Sequence, residues 1–96
     1  MTTVLADGMA CRVPEPDALD LLLREADDVI AVTDDEVAEA MRVLFADTHN
    51  VAEGAGAASL AATKQQRHLL LGQVVGTTLC GGNVDSAVFA RVLSRA

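Results

Sequence analysis

A chain of 96 residues and 10.0 kDa makes one small domain at most and buries only about 60–65% of the surface it exposes when unfolded. Its apolar share is 51% but its aromatic share 2%, so Ala, Val and Leu dominate, small side chains better suited to packing against something large than to a self-sufficient core. Fourteen acidic residues against seven basic ones, with a single lysine and a net charge of −7, argue against binding to nucleic-acid phosphates or to an anionic membrane surface.

Residues 1–7 lack the basic start of a signal peptide, and no run of 18 apolar residues offers a membrane span, so the expected compartment is the cytoplasm. An irregular stretch then closes at Pro14-Glu15-Pro16. Pro16 suits the first turn of a helix. In that helix Leu19, Leu22, Leu23 and Ala26 fall at i, i+3, i+4 and i+7, with Arg24 and Glu25 facing away. Residues 28–32, with Val29, Ile30 and Val32, read as a short buried strand.

Thr33-Asp34-Asp35-Glu36 is a capping box, in which the Thr33 hydroxyl accepts from the Glu36 amide and the Glu36 carboxylate from the Thr33 amide. Asp34 and Asp35 add negative charge at the positive end of the helix dipole. The helix that follows buries Val37, Ala40, Met41, Leu44 and Phe45 and frays around residues 47–50. Small residues over 51–58 open an Ala-rich helix reaching about Thr63, and 64–68 form a polar exit. Leu69-Leu70-Leu71 reads as core and leads through Gly72 to a second strand at 73–79, which stops at Cys80-Gly81-Gly82-Asn83. A last helix, capped by Asn83, aligns Val84, Ala87, Val88 and Val92. The order is that of an α/β layer with two strands, fewer than a sheet needs to stand alone.

Ligands of open α/β folds bind beyond the carboxyl ends of strands. The turn with that form and distinctive residues is 80–83: Gly81 and Gly82 let a ligand approach the backbone, and Cys80 offers a small polar group. A plain tight connection with a cap accounts for the same residues. Glu53-Gly54-Ala55-Gly56 is a second candidate, though these residues read first as a helix cap with close helix packing; Asp7-Gly8 is a third small turn. Cys11 and Cys80, 69 positions apart, form no disulfide framework and share no metal-ligand spacing with His49 and His68. No zinc site is expected. Cys11 reads as an inert thiol, and the histidines as exposed residues at helix ends.

Three segments in register, 5–10 around Asp7-Gly8, 50–58 around Glu53-Gly54-Ala55-Gly56, and 79–85 around Cys80-Gly81-Gly82-Asn83, resemble the C-terminal part of the pyridoxal-phosphate-dependent serine/threonine dehydratases, of the fold type II or tryptophan-synthase-β-like group. The resemblance runs over essentially the whole chain. It is shared with serine racemase, hydroxyaspartate dehydratase and the hydroxyectoine-utilisation dehydratases. It implies an α/β fold, with residues 1–96 a single C-terminal portion of the large domain, part of a three-layer sandwich, and no regulatory domain.

The resemblance implies that Cys80 hydrogen-bonds the pyridine nitrogen of pyridoxal 5'-phosphate, where most relatives resemble Ser-Gly-Gly-Asn. Gly81 belongs to the same loop, Gly8 lets the backbone lie along the cofactor ring, and Glu53 is a carboxylate near the cofactor. The Ser-x-Lys motif that carries the cofactor, the Gly-rich phosphate loop and the substrate-carboxylate loop have no counterpart here; the single lysine, Lys64, matches none of them. No catalytic residue and no metal ligand is therefore assigned. The whole enzyme implied by the resemblance dehydrates L-threonine or L-serine to a 2-oxo acid and ammonia. This chain is expected to need an N-terminal half, or self-association, and to be inactive alone. The other reading is a non-catalytic interaction domain that keeps the family scaffold.

Overall fold

The computed structural model describes residues 5–6 and 15–95. Four helices follow in order: α1 (Pro16–Glu25), α2 (Asp34–Thr48), α3 (Gly54–Gln65) and α4 (Ser86–Ser94), with a 3₁₀ turn, Arg67–Leu69, after α3. The expectations on Gly8 and Cys11 lie outside the described residues.

Helix α2 is built as its sequence dictates. The Glu36 amide donates to Thr33 Oγ1 at 3.1 Å, and the Thr33 amide to Glu36 Oε1 at 2.9 Å. The Thr33 amide bond, helped by Gln65, holds the Glu36 carboxyl below its usual range. The helix ends after Thr48 with His49 in the left-handed region, φ 60°. Packing against α2 brings α3 and α4 together around Val37, Ala40, Met41, Ala52, Ala57, Ala61 and Val92. Arg42 on α2 donates to the Val92 carbonyl at 3.0 Å, occupying an acceptor near the end of α4. It also pairs with Glu39, at 3.1 Å, and Lys64 reaches the same carboxylate at 3.4 Å. Chiefly through the Arg42 hydrogen bond, Glu39 is held below the usual carboxylate range.

The expected sandwich does not form among the described residues. Residues 28–32 and 73–79 carry no regular secondary structure, and no strand is paired. A strand satisfies its amides and carbonyls through a neighbour, and these two segments form no ladder with one another. Side chains of α3 take two of their carbonyls instead: Gln65 Nε2 donates to Ala31 O at 2.8 Å, and Ser59 Oγ donates to Thr78 O.

Three further expectations are corrected. Leu69 and Leu71 are exposed, not core, since no sheet forms among the described residues for them to cover; Leu71 is 81% accessible. Phe45 is only partly covered, stacking edge-on with Phe89 at 5.4 Å between ring centroids. The cap of α4 is Asp85, not Asn83, since its carboxylate accepts from the Ala87 and Val88 amides at 2.8 and 3.4 Å. A tight turn, Val84 amide to Gly82 carbonyl at 3.0 Å, keeps Asn83 and Val84 out of the helix.

The core is small: Met41 and Val37 are its largest fully buried side chains. Helix α1 has the predicted leucine stripe, yet buries none of it and packs against no other described helix.

Candidate functional site

Described residues of the three sequence segments singled out above, Leu5 and Ala6 of the first, meet at the start of α3. Glu53 precedes the helix in extended conformation, and its amide donates to the Gly81 carbonyl at 3.1 Å. This ties the loop after residue 79 to the helix N-terminus. Gly56, one turn into α3, lies so close to that loop that a methyl group on it would overlap the Cys80 carbonyl oxygen. A methyl on Gly54 would likewise overlap the Leu5 carbonyl, so residues 5–6, just ahead of Asp7-Gly8, lie against the same helical turn. The small residues at 54–56 therefore pack closely on two neighbours.

Gly81 is in the left-handed region, φ 73°, where a side chain is strained. The Glu53 carboxylate occupies the space that a side chain on Gly81 would need. Glu53, Cys80 and Gly81 are thus brought to one place, with Cys80 presenting a free, exposed thiol. On the other side of the loop, Ser59 holds the Thr78 carbonyl, fixing the approach to Cys80. Ser59 was not singled out in the sequence: an isolated serine in an Ala-rich helix carries no signal of a partner 19 residues away.

Two open clefts of about 470 and 370 Å³ flank α2, and neither is lined by Glu53, Cys80 or Gly81. Among the described residues no group of three or more His, Cys, Asp or Glu gathers as a metal site, and no helix is long and apolar enough to cross a membrane. His49 and His68 are exposed, as expected.

Comparison with known proteins decides the family. The profile of the pyridoxal-phosphate dependent enzymes matches residues 2–81. The chain belongs to the pyridoxal-phosphate dependent enzymes. It is 33% identical to an L-threonine ammonia-lyase of Thermotoga maritima over 95% of this chain and 22% of that protein. It is 34% identical to an L-threonine ammonia-lyase of Geobacter sulfurreducens over 99% of the chain and 24% of that protein. With a phenylserine dehydratase of Ralstonia pickettii the identity is 38%, covering 93% and 28%. The chain thus spans about a quarter of the length of these relatives. No solved structure matches it.

The loop offers an exposed Cys80 thiol, while the faces of Gly81 and Gly82 that a side chain would take are covered by Glu53 and the Val51 carbonyl of the same chain. The lysine such an enzyme uses is not near it. Lys64 is ten residues along α3 from Gly54, roughly 15 Å along the helix axis, and is ion-paired with Glu39.

Proposed function

We propose that this chain is the C-terminal portion of the large domain of a fold type II dehydratase and supplies one wall of its pyridoxal 5'-phosphate pocket. In this reading residues 28–32 and 73–79 are strands of a central sheet in a three-layer sandwich whose other strands lie outside this chain. The complete enzyme, cytoplasmic, acts on L-threonine or L-serine, or on a related β-hydroxy amino acid, and yields a 2-oxo acid and ammonia. The observation that carries this reading is the convergence of Glu53, Cys80 and Gly81 at the start of α3.

Bound there, pyridoxal phosphate would supply the electron sink for loss of the α-proton and of the β-hydroxyl. The residues of this chain position it. Cys80 would be the residue to meet the cofactor ring nitrogen, and because a thiol is a weak donor it would leave that nitrogen largely unprotonated, which would favour β-elimination over deeper carbanion stabilisation. Gly81 would belong to the same cofactor loop, and Gly8 in the first segment would let backbone lie along the ring. The Glu53 carboxylate, held beside Gly81, keeps the loop in register. No residue of this chain serves as the nucleophile or base, so an N-terminal part must provide the lysine and the phosphate site.

The test is complementation. The chain is co-expressed with the Thermotoga maritima L-threonine ammonia-lyase lacking the segment it matches, then given pyridoxal phosphate and L-threonine. Visible cofactor absorbance and 2-oxo acid are expected, both reduced by Cys80→Ala. Association without absorbance or product would overturn the cofactor-wall reading and favour the non-catalytic interaction domain, for which the lack of a lysine at the site speaks.

A further inference from the structure

A hydroxyl inside a helix ordinarily folds back onto the carbonyl four residues earlier. Thr48 does so in α2, donating to the Leu44 carbonyl at 2.6 Å, and Thr63 does so in α3, donating to the Ser59 carbonyl at 2.9 Å. Ser59 departs from this. Its hydroxyl leaves the helix and donates to the Thr78 carbonyl, 19 residues away. Burial does not demand that bond, because Thr78 is exposed and water can take the same carbonyl. What the bond adds is a fixed place for the chain around it. Residues 74–80 make no other hydrogen bond among the described residues.

The contacts of the segment follow in order along α3. The Glu53 amide holds the Gly81 carbonyl, Gly56 lies against the Cys80 carbonyl, and Ser59 holds the Thr78 carbonyl. Positions 53, 56 and 59 step by three, each neighbouring the next on the helix surface, so the segment crosses α3 obliquely and antiparallel to it. From 53 to 59 the helix rises roughly 9 Å, and the chain from 78 to 81 reaches at most roughly 10–11 Å. The segment therefore spans its two anchors with little slack, and Cys80 lies between them. We propose that Ser59 is a positioning residue for Cys80: it sets the register of residues 78–81 on α3 and so the place of the thiol. The register belongs to this chain alone; what the thiol meets there rests on the cofactor-wall reading above.

The first test uses the chain alone. Ser59→Ala removes the donor and keeps a strong helix former, so helical circular dichroism should be unchanged. Exchange of the Glu53 amide, which is no partner of Ser59, should quicken about fivefold as the loss of one anchor loosens the other. Nuclear Overhauser contacts between Gly56 and residues 80–81 should be lost. Ser59→Thr, which keeps a hydroxyl, should restore both. Thr63→Ala, which removes a hydroxyl from the same helix without touching the segment, should change neither. The proposal is overturned if Ser59→Ala leaves Glu53 exchange and the Gly56 contacts as they are, or if Thr63→Ala alters them equally.

The second test uses the chain assembled with the trimmed Thermotoga maritima enzyme and pyridoxal phosphate. Ser59→Ala should change the visible absorbance of the bound cofactor in the same direction as Cys80→Ala. It should also lower kcat for L-threonine more than it raises KM, with Ser59→Thr restoring both. A cofactor spectrum that responds to Cys80→Ala and not to Ser59→Ala would overturn the positioning role. A spectrum indifferent to both, with the exchange result as expected, would overturn the cofactor-wall reading alone.

Discussion

Replacing Gly56 with alanine tests the geometry of the site by the sign of its effect. Gly56 lies inside α3, where alanine is intrinsically better than glycine by about 1 kcal/mol. With nothing packed against it, Gly56→Ala should stabilise the chain by that amount. The structure puts the Cys80 carbonyl where the new methyl must go. Backbone cannot rotate away as a flexible side chain does, and overpacking of this kind costs about 1–3 kcal/mol. The net effect is then a loss of up to about 2 kcal/mol, or displacement of the loop with loss of the Glu53 amide to Gly81 carbonyl bond. Urea unfolding followed by helical circular dichroism reads the first, and amide exchange at Glu53 reads the second. Gly76→Ala, with open space around it, is the control. A Gly56→Ala chain that is about 1 kcal/mol more stable, with Glu53 exchange unchanged, would refute the packing of residues 80–81 on α3.

Other outcomes follow from the same structure. Met41→Ala, at a fully buried position in a core this small, should cost about 2–5 kcal/mol, visible as a lower urea midpoint. Thr33→Ala removes the side-chain half of the capping box and should cost about 1 kcal/mol in the same assay. Acid should weaken the chain through Glu36 and Glu39. Both carboxyls sit below their ordinary value of 4.5 in the folded chain, so their stabilisation is complete above that pH and is lost as pH falls below it through the folded values. Glu36→Gln should flatten part of that dependence in thermal unfolding between pH 5 and 3, and an unchanged slope would contradict the capping geometry.

Much of the local structure was legible because its causes are local. Thr33 and Glu36 are three residues apart and satisfy one another, so the start of α2 needs nothing beyond its own turn. Pro16 and the leucine spacing announce α1 in the same way. The strands at 28–32 and 73–79 depend on partners. Val29, Ile30, Val74 and Val75 have the right side chains, but a strand exists only where another backbone pairs with it, and the described chain provides none. The exposure of Leu69 and Leu71 has the same origin. Between the two possible caps of α4, Asn83 is as good a residue as Asp85. The choice falls to Asp85 because the Val84–Gly82 turn bends the chain before the helix begins. At the site, Gly54 and Gly56 already read in the sequence first as close packing on a neighbour. Their contacts with Leu5 and Cys80 favour packing, and that packing is what gathers Glu53, Cys80 and Gly81. Ser59 could not have been foreseen, since its partner is a carbonyl, which every residue possesses.

The central claim is that Cys80 faces a bound pyridoxal phosphate. The most direct measurement is the alkylation rate of Cys80 in a Cys11→Ala chain assembled with the trimmed Thermotoga maritima enzyme, with and without pyridoxal phosphate. The thiol is exposed in the chain alone and should react readily there. In the assembly, adding the cofactor should slow its alkylation at least tenfold. Equal rates with and without bound cofactor would contradict the account.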